Sequence, residues 1–281
     1  MRTMCAMEHD TCCYKGGPLW WDHALSGTRS SALSDASRRI GRKASVNVFW
    51  GGCARNNRRA TMSLDATEQN PQRSGFQALE VDPSHDAALM RQIHQLRFQV
   101  YCLEQGFLDA IDYPKGYEAD EHDLRSFHFA SCGRDGGLAG YVRLVCADAT
   151  GSFPFQAHCD ALYPGIVLPP THQSVEISRL MVSATHRRQP DRSPEILCSM
   201  FRQMYMRSVR QGVRYWYAAM ERSLVRVLQR MLGVEFRQIG PVTDYYGPVA
   251  PYLIDLHVLA AQLSEGHPSL FEAVRPPEMC C

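Results

Sequence analysis

The sequence predicts one mixed α/β domain over residues 74–265, in which a mostly antiparallel central sheet is flanked by helices. The first observation behind this prediction is the order of the periodic segments, which alternate between strand-like and helix-like patterns without an internal repeat. The second is composition, because 45% hydrophobic residues in a chain of 281 can fill a sizeable core. The third is a strand around residues 175–182 that carries charged residues at an irregular spacing.

The individual elements follow from local patterns. Apolar residues at helical spacing from Leu89 to Leu103 predict a helix that ends at Gly106. A Ser-Pro-Glu sequence at Ser193 predicts the start of a helix that runs to Gly212. The other predicted elements are the strands FQALEV, SFHFASC, LAGYVRLVCA, SVEISRLMVS, VRYWYAAM, FRQIG and PYLIDLHVL, and the helix RSLVRVLQRMLG.

The two ends of the chain differ from the domain between them. Residues 1–73 hold eleven basic against six acidic residues and no lasting hydrophobic period. This pattern predicts a disordered basic extension or a misplaced translation start, and a nucleic-acid-binding arm is the weaker alternative. Residues 266–281 are predicted to form a flexible tail.

Composition excludes several classes of protein. No apolar run reaches eighteen residues and no secretory signal opens the chain, so we expect a cytoplasmic protein without a transmembrane segment. The eleven cysteines include no CxxC pair, which argues against a disulfide framework and a zinc site. Cys102, Cys132, Cys146 and Cys198 lie in helix-like or strand-like segments and are interpreted as small core residues.

Seven charged side chains stand in mostly apolar surroundings, where charge is unfavourable unless it is paired. Four are carboxylates and three are guanidinium groups, so a cluster of all seven would carry one surplus negative charge. The E-x-D-x-x-D spacing of three carboxylates does not fit a calcium loop, and we expect no metal there. The seven residues are Arg97, Glu118, Asp120, Asp123, Arg143, Glu176 and Arg179.

The spacing of Glu176 and Arg179 is the most discriminating part of this set. Residues three apart on a regular strand point to opposite faces of the sheet. Either each residue finds its own partner, or a β-bulge brings both to one face. A bulge would also free backbone N–H groups near Ser178, Leu180 and Met181 to polarise a carbonyl, as acyl transfer requires.

In order and spacing, the seven charged residues resemble a known family, together with Tyr101, Phe107 and Phe155. The chain is similar to the acyl-homoserine-lactone synthases and the N-acyl amino acid synthases, which share the GCN5-related N-acetyltransferase (GNAT) fold. It most resembles the bacterial acyltransferases associated with the PEP-CTERM/exosortase system. The likeness covers roughly residues 76–260, and Phe107 stands where the synthases usually have Trp.

The resemblance implies a GNAT-like acyltransferase that moves a fatty acyl group from a thioester to the amine of an amino-acid-like acceptor, with no tightly bound cofactor. Its acyl product would place it near membrane surfaces. Glu118 or Glu176 would deprotonate the acceptor ammonium, and one arginine would bind its carboxylate. The implied catalytic residues are Glu118, Glu176, Arg97 and Arg179, and the implied substrate-binding residues are Asp120, Asp123, Arg143, Phe107 and Phe155.

The acyl donor is predicted from the segment SATHRRQPDRSP, which contains no glycine to surround a pyrophosphate. Its Arg187, Arg188 and Arg192 favour the acidic surface of an acyl carrier protein over coenzyme A, although they also suit a solvated loop. Aromatic residues at Phe153, Phe155 and 215–217 would either surround the acyl tail or fill the core.

Three alternatives remain open on the sequence. One is a true autoinducer synthase that uses S-adenosylmethionine. Another is a non-catalytic acyl-thioester-binding module in which the charged residues are only structural. A third treats the arginine-rich amino-terminal arm as a nucleic-acid tether. Within the enzyme hypothesis, His122 is a candidate proton relay, although a single histidine in a loop is more often simply exposed.

Overall fold

The computed structural model describes residues 75–189, 191–233 and 235–266. The predictions for residues 1–73, and for all but the first residue of the predicted tail, lie outside these residues. The strands are β1 (Phe76–Val81), β2 (Ser126–Gly133), β3 (Leu138–Val145), β4 (Ser174–Val182), β5 (Tyr215–Glu221), β6 (Arg237–Gln238), β7 (Thr243–Asp244) and β8 (Pro248–Asp255). The α-helices are α1 (Ala87–Phe98), α2 (Ala184–Arg187), α3 (Arg192–Arg210), α4 (Arg222–Leu232) and α5 (Leu256–Gly266).

The eight strands form one sheet in the order β1-β2-β3-β4-β5-β8-β6, with β7 also paired to β8. Only β4 and β5 run parallel among these pairs, and the other pairs are antiparallel. Helix α3 packs on one face, where Ile196 lies against Gly140 of β3. Helix α1 packs on the other face, because Arg97 lies over the ring of Tyr141, which neighbours Gly140. The predicted mixed sheet flanked by helices is therefore confirmed.

The parallel strands β4 and β5 separate along their length. They are paired only from Ser174 opposite Tyr215 to Glu176 opposite Tyr217. Beyond that point β4 continues to Val182 and β5 to Glu221 without pairing to each other. The separation opens a gap in the sheet whose closed end lies at Glu176.

The first helix ends differently from the prediction. It continues after Phe98 as a π-helical segment, Gln99–Glu104, before the chain turns at Gly106, which has a φ of 62°. A π-helical segment shifts the phase of the side chains relative to an α-helix. As a result Cys102 is buried, and Leu103, the last of the apolar residues at helical spacing, is 55% exposed.

The last predicted strand is too long. Strand β8 ends at Asp255, and the LHVL sequence that was expected to complete it begins α5 at Leu256. The carboxylate of Asp255 accepts a hydrogen bond from the backbone N–H of His257, at 2.9 Å, and so caps the new helix. The same carboxylate binds Arg214, which precedes β5.

Candidate active site

Three arginines and three carboxylates meet on the α1 face of the sheet. Helix α1 supplies one arginine, and strands β3 and β4 supply the other two. The carboxylates come from the loop and 3₁₀ turn that precede β2. This ion cluster consists of Arg97, Arg143, Arg179, Glu118, Asp120 and Asp123.

Arg97 and Glu118 form the buried centre of the ion cluster. Both side chains have no solvent exposure. The guanidinium group of Arg97 donates through Nε and Nη2 to the two carboxylate oxygens of Glu118, and through Nη1 to Asp123 Oδ1 at 2.6 Å. Burial raises the pKa of Glu118, but the hydrogen bonds and charges of Arg97 and Arg179 outweigh burial and lower it. Glu118 therefore stays ionised and fully paired.

Arg143 of β3 connects the two aspartates. It donates to both oxygens of Asp120, at 2.6 and 2.8 Å, and to Asp123. The aspartates also cap their own 3₁₀ turn, because Asp120 accepts from the backbone N–H of His122 while Asp123 accepts from that of Asp120. Burial opposes ionisation of both aspartates, yet the arginines lower both pKa values.

Arg179 occupies the predicted bulge in β4. The pairing of β3 with β4 shifts register between Tyr141 opposite Met181 and Arg143 opposite Ser178. Arg179 has a φ of 54°, a left-handed conformation that is costly for a residue other than glycine. The bulge turns its side chain into the ion cluster, where it donates to Glu118 at 3.0 Å and to Asp120 at 2.9 Å. The prediction of a bulged strand is confirmed.

Glu176 lies on the same face but outside the ion cluster. Among the described residues its carboxylate accepts one hydrogen bond, from the backbone N–H of Phe155 at 2.8 Å. Burial raises the pKa of Glu176 to about 7, although the Phe155 hydrogen bond and the nearby charge of Arg143 act in the opposite direction. The expected cluster of seven therefore divides into six balanced charges and one separate carboxyl group.

Aromatic rings continue the site away from the ion cluster. The guanidinium carbon of Arg179 lies 4.8 Å from the ring centre of Tyr101, and Tyr101 contacts Phe107, with their ring centres 5.9 Å apart. Phe107 in turn lies 6.0 Å from Tyr246, in the turn between β7 and β8. Tyr246 has a φ of 54°, so it shares with Arg179 a strained backbone. The sequence analysis did not predict Tyr246 or its neighbour Tyr245 as site residues, because no sequence pattern connects this turn to the ion cluster.

A second group of aromatic rings surrounds the closed end of the gap. Phe153 and Phe155 pack against Tyr217, with ring centres 5.1 and 4.8 Å apart. A half-open cavity of about 160 Å³ adjoins this group and is lined by Phe155, Cys159 and Leu168, among others. Trp216, for which the sequence left a contact with the acyl tail and a core position open, is buried on the opposite face and donates to Ser208 of α3 at 2.9 Å.

Three described histidines lie beside the ion cluster: His94, whose Nε2 is 3.8 Å from Asp123 Oδ2, and His128 and His122, which have different environments. His128 is buried, and its ring nitrogens contact the Tyr141 hydroxyl at 2.7 Å and the backbone carbonyl of Asp123 at 3.1 Å. Burial lowers its pKa to about 4, so the ring is neutral and holds the aspartate loop in place. His122, considered above as a proton relay, contacts Arg125 at 3.0 Å, and burial lowers its pKa as well.

The three arginines predicted to bind a carrier protein have unequal exposure. Arg187 is only 14% exposed and forms an ion pair with Glu104 of the π-helical segment. Arg192 is 49% exposed and lies near Glu195 and over the ring of Phe76. Arg188 is exposed. Arg188 and Arg192 are therefore more accessible to a partner than Arg187, and the assignment of these arginines to a carrier protein stays a prediction.

Comparison with known proteins identifies the fold of this chain. Residues 96–193 match the model of the acetyltransferase (GNAT) domain. The chain has the GNAT fold. No curated protein sequence matches the chain.

Solved structures resemble this chain over about two thirds or more of its length. The structure of TofI in a ternary complex with an inhibitor and MTA has a TM-score of 0.55 and 19% identity, and it covers 73% of this chain and 100% of its own. The AHL synthase LasI has a TM-score of 0.53 and 18% identity over 68% and 96% of the two chains. The CoA-dependent acyl-homoserine lactone synthase BjaI, with SAM and isopentyl-CoA, has a TM-score of 0.52 and 16% identity over 73% and 99%. At these identities the likeness establishes the fold.

Two further observations concern the described residues alone. In the part of the chain that the structure describes, no group of three or more His, Cys, Asp or Glu side chains is arranged to hold a metal ion. The carboxylates of the ion cluster are occupied by arginines instead. No helix within residues 75–189, 191–233 and 235–266 is long and apolar enough to cross a membrane.

Proposed function

We propose that the chain is an N-acyltransferase that moves a fatty acyl group from a thioester to the amine of a small, amino-acid-like acceptor. The observation that carries this proposal is Glu176, a buried carboxyl group with a pKa near 7 at the closed end of the gap between β4 and β5. A general base works best when its pKa lies near the working pH. The GNAT fold supports the acyltransferase class.

The proposed reaction begins with the acceptor ammonium beside Glu176, which takes one proton. The free amine attacks the thioester carbonyl, and the C–N bond forms as the C–S bond breaks. The nitrogen releases a second proton as the amide forms, and the leaving thiolate takes up that proton, so the products are an amide and a thiol. Because the amine attacks the thioester directly, the reaction needs no covalent enzyme intermediate.

Glu118 is the less suitable of the two predicted bases. Its carboxylate oxygens already accept hydrogen bonds from Arg97 and Arg179, and its pKa is lowered. We assign Glu118 and Arg97 to holding the bulge of β4 in shape, together with Asp120, Asp123 and Arg143. In this assignment Glu176 contacts the reacting amine directly, and the ion cluster positions the bulge without contacting the substrate amine.

The bulge supplies the second part of the proposed chemistry. The edge of β4 that faces the gap has no strand partner beyond Glu176, and backbone N–H groups alternate between the two edges of a strand. Ser178 and Met181 face Arg143 and Tyr141 of β3, so the backbone N–H of Leu180 is proposed to stabilise the developing oxyanion. Arg179 is 17% exposed, and its Nη1 has no partner among the described residues. We assign that atom to the carboxylate of the acceptor.

The substrates are proposed to occupy opposite sides of Glu176. The acyl chain is assigned to the apolar side with Phe153, Phe155 and Tyr217, next to the cavity. The acceptor is assigned to the side of Arg179, where Phe107 and Tyr246 form a wall. An acyl carrier protein is proposed as the donor, as the absence of glycine between Ser183 and Pro194 favours.

The product identifies the reaction. The purified full-length chain is incubated with an acylated carrier protein or acyl-coenzyme A and a mixture of amino acids and S-adenosylmethionine, and the extracts are analysed by mass spectrometry. We expect an N-acyl amide without a lactone ring. An acyl-homoserine lactone would identify an autoinducer synthase instead. Thioester binding without any amide product would indicate a non-catalytic binding module.

A further inference from the structure

Tyr246 combines a strained backbone with an exposed aromatic ring. In the part of the chain that the structure describes, Tyr246 and Arg179 are the two residues other than glycine with a left-handed backbone, and both have a φ of 54°. Turns use glycine, asparagine or aspartate at such positions, because a larger side chain is unfavourable there. Arg179 gains ion pairs with Glu118 and Asp120 in return. Tyr246 is 45% exposed, so burial offsets little of that cost, and strain of this kind is typical of functional sites.

The ring of Tyr246 bridges the open end of the gap between β4 and β5. Its turn lies at the carboxyl end of β5, because Glu221, the last residue of β5, pairs with Val249 of β8 close to the turn. Phe107 lies on the β4 side, joined through Tyr101 to the bulge of β4. The ring centres of Phe107 and Tyr246 are 6.0 Å apart. Their contact therefore connects the two halves of the sheet where the strands have separated.

These rings form a closed wall, which we define as the aromatic wall of Phe107, Tyr246 and Tyr245. Neighbouring aromatic rings pack with their centres about 4.5–7 Å apart, so a third ring fits between two others only when their centres are about 9 Å or more apart. At 6.0 Å, Phe107 and Tyr246 leave no room between their rings. Tyr245 continues the wall, because its ring centre lies 4.5 Å from that of Tyr246 and 3.6 Å from that of His158.

The aromatic wall passes close to the proposed base. Burial raises the pKa of Tyr245 to about 12, while the charge of Arg179 acts to lower this pKa and that of Glu176 acts to raise it. Both charged groups therefore lie within electrostatic reach of the wall. Glu176 itself is only 5% exposed. A residue of the wall is thus positioned to control the access of an amine to Glu176.

We propose that Tyr246 is a specificity-determining residue that, together with Phe107, closes the acceptor side of the gap and restricts the acceptor to an amine with a small side chain. This inference rests on the proposed function and narrows the substrate class of the same site. It accounts for the strained tyrosine, because glycine would relax the turn but leave the opening unclosed. A closed wall discriminates against a larger acceptor by steric exclusion.

The first test measures access to Glu176 without turnover. The full-length chain is treated with a water-soluble carbodiimide and a small amine, and labelling of Glu176 is followed by peptide mass spectrometry. We expect Tyr246→Gly to be labelled several-fold faster than the wild type. Tyr246→Phe, which retains the ring, should be labelled at the wild-type rate. Unchanged labelling in Tyr246→Gly, or equally fast labelling in Tyr246→Phe, would overturn the proposal.

Tyr163→Gly is the matched control. Tyr163 is 43% exposed, almost as much as Tyr246, but its backbone is not left-handed. Its replacement should leave the labelling of Glu176 unchanged and lower the midpoint of urea denaturation, since glycine increases the freedom of the unfolded chain. Tyr246→Gly should leave that midpoint at or above the wild-type value, because glycine relieves the strained turn. Fast labelling in both variants, or a midpoint for Tyr246→Gly below that of Tyr163→Gly, would indicate a loss of structure and overturn the proposal.

Acceptor selectivity connects the aromatic wall to the reaction. With one acyl thioester as donor, kcat/KM is measured for alanine and for phenylalanine as acceptors. The ratio of phenylalanine to alanine should rise about tenfold or more in Tyr246→Gly, while KM for the thioester changes by less than about twofold. An unchanged ratio would overturn the proposal even where amide synthesis is observed. Faster labelling of Glu176 in a chain that forms no amide would support closure by Tyr246 and contradict only the proposed reaction.

Discussion

The ion cluster and Glu176 lie on the same face of the sheet and are both buried, yet their surroundings differ. In the ion cluster, three carboxylates meet three arginines, and each carboxylate accepts several charged hydrogen bonds. Glu176 accepts a single bond from a backbone N–H within the described residues. Burial acts on both, but arginine partners lower the pKa of the cluster carboxylates, and burial raises that of Glu176.

This difference separates two uses of buried charge. A fully paired network holds its elements in one arrangement and has no ready capacity to take up a proton near neutral pH. A carboxyl group that is buried without a cationic partner is poised to exchange a proton in that range. The ion cluster is therefore suited to fixing the bulge at Arg179, and Glu176 is suited to acting on a substrate.

The largest expected effect is on catalysis at Glu176. Glu176→Gln should retain the fold and reduce kcat by about 10²–10⁴-fold, because the amide cannot accept the ammonium proton. In the wild type, kcat/KM for the acceptor should rise with pH to about 7, following ionisation of Glu176, and this part of the profile should be absent from the variant. Both are measured by steady-state kinetics over a range of pH.

The matched control for this change is Glu121→Gln. Glu121 precedes Asp123 in the same loop but its side chain is 84% exposed, so its neutralisation should leave kcat unchanged. A Glu176→Gln variant that keeps more than a tenth of the wild-type kcat, or that keeps the rising part of the pH profile, would contradict the assignment of Glu176 as the base.

The second effect is on stability and comes from the ion cluster. Arg97→Met removes the guanidinium group that pairs with Glu118 and Asp123 and leaves a buried carboxylate underpaired. The free energy of unfolding, measured by urea denaturation at pH 7, should fall by about 3–5 kcal/mol. Arg91→Met, at an exposed position of the same helix, should change it by about 0.5 kcal/mol or less. A loss below about 1 kcal/mol for Arg97→Met would mean that the ion cluster does not stabilise the fold.

The bulge in β4 could be predicted from the sequence, but the separation of Glu176 from the ion cluster could not. Glu176 and Arg179 are three residues apart, a spacing that is incompatible with one face of a regular strand. The predicted bulge, seen as the register shift at Arg179, brings both side chains to the same face. The separate environment of Glu176 could not be predicted, because its partner is the backbone N–H of Phe155. Every residue except proline has such a group, so no side-chain pattern marks the contact.

The exposure of surface arginines could not be predicted where they pair with residues far away in the chain. Arg187 pairs with Glu104, which lies 83 residues earlier in the chain, and this pairing could not be predicted from the local sequence. The contact of Arg187 with a carrier protein stays a prediction.

The smallest expected effect is the pH dependence of stability. The pKa of Glu176 is about 7 in the folded protein, above its ordinary value of 4.5, so between these values the folded state binds more protons than the unfolded state. The contribution of Glu176 to stability is therefore present below about pH 4.5 and is lost as the pH rises through 7. The Gln side chain cannot ionise, so Glu176→Gln should gain about 2–3 kcal/mol relative to the wild type between pH 5 and pH 8.

Urea denaturation of both proteins at several pH values measures this difference. The ion cluster contributes with the opposite sign, since its lowered carboxylate pKa values make the fold lose stability in acid, and the neutral His128 does the same between about pH 6.5 and 4. Both contributions are common to the two proteins and cancel in the comparison. If the two stability curves run parallel from pH 5 to 8, Glu176 titrates as an ordinary carboxyl group, and the contrast between it and the ion cluster disappears.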